Sequence, residues 1–224
     1  MRSSFACIAM GMLSLGGCAR TDSNQAGTFP YVPLDDQAGQ LREDFNRATG
    51  SVRLLFVIDP VDPPSLQRLD DMNRDLLGGT TDPHLETFVV HEPVLGVRPF
   101  GARPRRTAAH DISVAAALLH NPHVRHYWNA SGVFGRLLSE SVGLKNSKRG
   151  VYAWDVWLIY GPEATWSGAG PPAPRLLMHE IYGLRDSNEF PPLDTGAFAK
   201  KVLGLLAQLP SPSAEGASAR KRSP

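Results

Sequence analysis

The sequence predicts an α/β domain built on a mixed four-stranded sheet flanked by helices, and three stretches carry that prediction. Val52–Ile58 is an apolar run broken only by Arg53 and bounded by Gly50 and Asp59-Pro60, the pattern of a strand covered on both faces. Residues 65–77 place Leu66, Leu69, Met72, Leu76 and Leu77 within one arc of about 140°, with Arg68, Asp70, Asp71 and Arg74 elsewhere. That is an amphipathic helix, closed by Gly78-Gly79. Residues 152–160 (Tyr-Ala-Trp-Asp-Val-Trp-Leu-Ile-Tyr) form the strongest strand, and Gly161-Pro162-Glu163 turns it toward a partner at residues 175–182 as an antiparallel pair.

The remaining elements fall between these. Leu85–His91 is a second strand, followed by a loop over residues 92–106 that is rich in proline and arginine. Residues 107–119 gather Ala108, Ile112, Ala115, Ala116 and Leu119 on one helical face, and Asn121-Pro122 ends that helix. A shorter helix is predicted over residues 133–142, capped by Asn129 or Ser131. The last helix begins at Asp194 and presents Phe198, Val202, Leu205 and Leu209 within about 60°. Strands joined by a helical crossover are parallel, and the later hairpin adds antiparallel strands.

Composition bounds what this domain does. The 224 residues carry 23 Lys plus Arg against 22 Asp plus Glu, a net charge of +1, which gives no whole-molecule field for nucleic acid. Aromatics are not interleaved with basic residues as nucleic-acid surfaces require. Two cysteines exclude a disulfide-stapled mini-domain, and 42% apolar residues supply a core. Polar, turn-rich residues 18–39 read as a tether and residues 210–224 as a low-complexity tail ending in Arg220-Lys221-Arg222-Ser223-Pro224, leaving one domain over residues 40–209.

Residues 1–17 have the form of a secretory leader: Arg2, an uncharged apolar run too short to span a bilayer, then small residues. Leu15-Gly16-Gly17-Cys18 resembles the lipobox of bacterial lipoproteins. That resemblance implies cleavage before Cys18, acylation of its thiol (diacylglycerol, with palmitate among the acyl chains) and anchoring to the membrane. Ala19 after the cysteine is compatible with outer-membrane sorting, facing the periplasm. Cys7 would leave with the leader and the Cys18 sulfur would become a thioether, so the mature domain would hold no free thiol.

The succession of elements resembles the thioredoxin fold over about 155 residues. In that family a Cys-x-x-Cys pair directly follows the first core strand, at the N-terminus of a helix whose dipole lowers the thiol pKa. Here Asp62-Pro63-Pro64-Ser65 stands in that place, with Asp62 and Ser65 at the cysteine positions. An aspartate gains from the same field but forms no disulfide, and Asp62 followed by two prolines is a helix start in its own right. The family's cis-proline before the third core strand is also absent, because residues 148–152 read Lys-Arg-Gly-Val-Tyr. Dithiol oxidoreductase and thiol peroxidase activity are therefore not expected.

Other constellations are weaker. His120, His123 and His126 are interrupted by Pro122, so no metal site is expected. Asp59, Asp62, Ser65, His91, Glu92 and Tyr152 border one sheet edge by topology and make a candidate cleft, for which ordinary solvent-facing polar side chains are the simpler account. Asp155 is the single charge in its apolar strand and is expected to pair with an arginine or a backbone donor rather than relay protons. Arg98, Arg103, Arg105 and Arg106 crowd one loop and would favour an anionic membrane surface, although a solvated loop explains them as well.

The expected function is that of a membrane-anchored lipoprotein whose redox-inactive, thioredoxin-like domain binds an envelope protein or small ligand or serves as an accessory. No cofactor, metal or nucleic acid is implied. The alternative is an envelope enzyme with a non-thiol site around Asp62, His91 and Glu92.

Overall fold

A strand buried on both faces needs a neighbour on each side and helices above and below, and this chain supplies both. The computed structural model describes residues 30–93, 109–144, 152–181 and 190–210. The elements are β1 (Val32–Pro33), α1 (Gly39–Arg47), β2 (Val52–Ile58), α2 (Pro63–Asp75), β3 (Leu85–His91) and α3 (Ala109–Ala117). They continue with β4 (Val124–Trp128), α4 (Phe134–Val142), β5 (Val156–Tyr160), β6 (Leu176–His179) and α5 (Thr195–Leu206). The strands form one six-stranded sheet in the order β1-β4-β3-β2-β5-β6. From β1 to β2 all neighbours are parallel; β5 runs antiparallel to β2, and β6 antiparallel to β5. This mixed α/β arrangement is compatible with a thioredoxin-like fold.

The expected sheet of four strands is corrected to six. The additions are β4 and β1, whose Val32 and Pro33 register with Tyr127 and Trp128 of β4. β4 carries Arg125 and His126 in its five residues, which hides its apolar pattern, and β1 lies inside the segment expected to be a tether. Helix α1 was likewise invisible to periodicity, since only Leu41 and Phe45 mark its buried face beside Asp44. The strand expected over residues 152–160 starts only at Val156, because Asp155 takes φ 52, a left-handed conformation no strand accommodates. Neither Asn129 nor Ser131 is the N-cap of α4. That position is Val133, and the Asn129 side chain instead accepts from the Phe134 N–H at 3.3 Å. The leader, Cys18, the loop arginines from Arg98 to Arg106 and the basic tail lie outside the described residues.

Two apolar layers sandwich the sheet. On one side Leu54, Phe56, Ile58, Val89, Trp157 and Ile159 pack under Leu69 and Met72 of α2 and Phe198, Val202 and Leu205 of α5. On the other, Leu55, Val57, Phe88, Val90, Leu158 and Tyr160 meet Leu41 and Phe45 of α1, Phe134 and Leu138 of α4, and Trp166. The alternation of odd and even positions along β2 and β3 between the layers follows from the two-residue strand period.

Arg53 breaks that apolar rule at the start of the central strand. Its side chain is wholly buried, yet its donors reach the Phe45 carbonyl at the end of α1 (3.1 Å), the Gly161 carbonyl after β5 (2.6 Å) and the Ser51 carbonyl (3.3 Å). Its guanidinium also lies 4.4 Å from the centre of the Phe45 ring. Burial pushes its pKa below the ordinary arginine value, an effect that the Glu163 charge opposes. Three backbone acceptors depend on this one cation. Arg53→Met is therefore expected to lower unfolding stability in urea by about 2–4 kcal/mol, since it strands buried carbonyls. Arg53→Lys is expected to recover only part of that loss, because an ammonium cannot reproduce the guanidinium fork.

Candidate functional site

At one edge of the sheet, four of the five strands that run in the same direction give way to a polar residue. Asp59 follows β2, Glu92 follows β3, Asn129 follows β4 and Glu180 follows β6, while Asp155 precedes the antiparallel β5. Ladder hydrogen bonds continue into this rim: Glu92 N–H donates to Ile58 (2.9 Å), Asn129 N–H to His91 (2.9 Å) and Glu180 N–H to Asp155 (3.0 Å). The sheet therefore delivers a row of carboxyl groups to one edge.

Asp62 and Ser65, expected from the resemblance to stand at the cysteine positions, sit at this rim. Asp62 has extended backbone and caps α2, its Oδ2 accepting from the Ser65 N–H at 3.1 Å and from the Ser65 hydroxyl at 3.0 Å. Ser65 is fully buried. The positive end of the α2 dipole is thus met by the chain's own carboxylate, which is what a structural cap does.

Asp155 lies near this cap and is 2% exposed. Its Oδ1 has no hydrogen-bond partner, so neither the arginine nor the backbone donor expected from sequence meets that oxygen. Burial above all pushes its pKa up to about 7; the charges of Asp62 and Glu180 add to the rise, while Trp157 and Ser65 pull against it. Glu180 approaches Arg68 of α2 at 3.5 Å.

Glu92 occupies the opposite face, under α4. Its Oε2 accepts from the Gly135 N–H at 3.2 Å, an amide in the first helical turn that has no partner within the helix. Tyr152 stands beside it, donating its hydroxyl to the Pro93 carbonyl at 3.3 Å. Burial again dominates and takes the Glu92 carboxyl to about 8. Asp59 adds to that rise while its own Oδ1 accepts from the Val61 N–H at 3.0 Å.

His91 does not join these acids. Like Val89 two residues earlier it projects to the α2 face, where its Nε2 meets His126 Nδ1 at 3.0 Å with the rings stacked. Burial holds His91 well below its ordinary pKa and brings His126 to about 4, so both rings are neutral at pH 7. With both rings neutral, one of the two facing nitrogens donates and the other accepts across this contact. No group of three or more His, Cys, Asp or Glu side chains among the described residues is placed to hold a metal ion.

The cleft expected from topology thus divides. Asp62, Ser65, Asp155 and Glu180 gather on the α2 side; Asp59, Glu92 and Tyr152 gather on the α4 side; His91 is paired elsewhere. Sequence reasoning missed Glu180, Asn129 and Gly135. One signal was available for the first, because His179-Glu180 repeats His91-Glu92 at the end of an apolar run.

No protein-family model matches the chain, and no curated protein matches its sequence. No helix of the described residues is long and apolar enough to cross a membrane.

The cap and the buried acid give different signatures. Asp62→Ala is expected to cost about 1 kcal/mol in thermal or urea unfolding, and Asp62→Asn only a few tenths, as for any capping side chain. For Asp155 the folded-state pKa is raised above the ordinary 3.8, so its favourable contribution is complete at acid pH and disappears as pH climbs to about 7. Asp155→Asn keeps the size and tolerates the left-handed backbone. Its Tm is expected to match the wild type near pH 4 and to exceed it at pH 8.

Proposed function

We propose that this chain is a lipid-anchored bacterial envelope protein whose thioredoxin-like domain works without thiol chemistry, as a binding or accessory module. The observation that carries this reading is the Asp62–Ser65 pair. A carboxylate cap and a buried hydroxyl stand where the resemblance places a redox dithiol, and no cysteine follows Cys18 in the sequence. The thioredoxin-like part rests on β2 lying between parallel β3 and antiparallel β5, with α2 leaving directly after β2. The anchor rests on the lipobox resemblance of Leu15-Gly16-Gly17-Cys18, and an outer-membrane address facing the periplasm rests on Ala19, with which it is compatible. The enzyme reading around Asp62, His91 and Glu92 has less support, because each of the three has its own separate partners.

One set of preparations tests this. The chain expressed in a bacterial host with a palmitate label is expected to incorporate the label at Cys18 and to lose it in Cys18→Ser. The purified wild type is expected to leave the rate of insulin reduction by dithiothreitol unchanged, whereas Asp62→Cys/Ser65→Cys is expected to form an internal disulfide. An unlabelled wild-type chain would remove the anchor from the proposal, and accelerated insulin reduction by the wild type would remove the thiol-free reading.

A further inference from the structure

Glu92 joins three segments that are distant in the chain. Its backbone continues β3, its Oε2 receives the Gly135 N–H from the first turn of α4, and its carboxyl group lies beside Tyr152 on the segment leading to β5. The packing is tight enough to require glycine: a Cβ at Gly135 would collide with Glu92 Oε1 and stand 2.6 Å from the Ala153 carbonyl oxygen. Ala153 N–H in turn donates to the Gly135 carbonyl at 2.8 Å. The Glu92 side chain is fully buried in this joint, and its Oε1 has no hydrogen-bond partner.

Each element packed around the group offers little to a negative charge. The end of β2 presents Asp59, itself acidic. Asn129, after β4, accepts the Phe134 N–H at its Oδ1 while its buried Nδ2 has no hydrogen-bond partner, and His91 is neutral and turned to the other face. From α4 come the single Gly135 N–H and Arg136, which acts on Tyr152; Tyr152 is held neutral by burial. A buried carboxylate there has only the Gly135 N–H and the Tyr152 hydroxyl to set against the loss of water and the neighbouring acid Asp59, and burial outweighs them.

We propose that Glu92 is a proton-operated latch: as the neutral acid it holds the first turn of α4 and the Tyr152–Ala153 segment against the sheet, and as the carboxylate it releases them. Burial takes the carboxyl from the ordinary 4.5 up to about 8, with the Tyr152 hydroxyl and the Gly135 N–H pulling the other way and Asp59 adding to the rise. The closed joint therefore keeps its proton over an interval in which an opened, solvated Glu92 has lost its own. Closure is strongest below pH 4.5, weakens by about tenfold per pH unit toward 8, and levels off above that. The latch is a property of the domain and does not depend on the lipid anchor or on what the rim binds.

Hydrogen exchange of the full chain between pH 5 and 9, corrected for intrinsic rates, tests it. Protection of the Gly135 and Ala153 amides is expected to fall by about tenfold per unit up to about pH 8 and then flatten, relative to the Leu55 amide in β2. Glu92→Gln is expected to abolish that slope, and Asp155→Asn to preserve it. A flat wild-type profile, a slope that survives in Glu92→Gln, or one that vanishes in Asp155→Asn would each overturn the latch. Should Glu92→Gln fail to fold, the carboxyl carbon of Glu92 in the labelled wild type is expected to titrate near 8 by NMR, and a midpoint near 4.5 would overturn the proposal.

Discussion

The central strand β2 is buried along its whole length, and most of the structure follows from that constraint. Such a strand has no polar face, so every polar contact it makes must come at its ends. At the start Arg53 gathers the carbonyls of α1, of residue 51 and of the chain leaving β5. At the other end the backbone leaves the apolar sandwich at Asp59 and, three residues later, the Asp62 carboxylate begins α2. A cation thus holds the end of α1 where the strand begins, and an acid starts α2 where the strand ends.

The acidic rim illustrates how burial changes chemistry without any new functional group. Asp62 is a working cap, and hydrogen bonds to Ser65 satisfy it. Asp155 and Glu92 stand on the same rim, but each is enclosed and each has an oxygen without a partner. Their pKa values rise to about 7 and about 8 as a result. Two ordinary carboxyl groups thus become acids that exchange protons around neutral pH, on opposite faces of one sheet edge.

Legibility in the sequence tracked the range of the interaction. The apolar run of β2, the arc of α2 with its Asp62-Pro63-Pro64 start, and Asp194 before α5 are local patterns, and the structure has each of them: Asp194 caps α5 by accepting from the Ala197 N–H at 2.9 Å. β4 was not legible, because Arg125 and His126 interrupt its pattern. Their polarity is met only across the fold, with Arg125 reaching Asp44 at 3.5 Å and Glu86 at 3.7 Å and His126 meeting His91. Asp155 was read as a strand residue paired with an arginine or a backbone donor, since nothing in the local pattern shows a left-handed turn of the backbone.

What the sequence by itself determined is the central strand, the capped helix after it and the absence of cysteine beyond residue 18, since each is set by residues adjacent in the chain. Only the tertiary structure decided that β1 and β4 extend the sheet, that the two histidines share a proton, and that Glu92 is enclosed by Gly135 and Tyr152. Solvation is the physical reason: a carboxyl or imidazole acquires its pKa and its partners from whatever packs over it, and those atoms come from segments that periodicity cannot bring together.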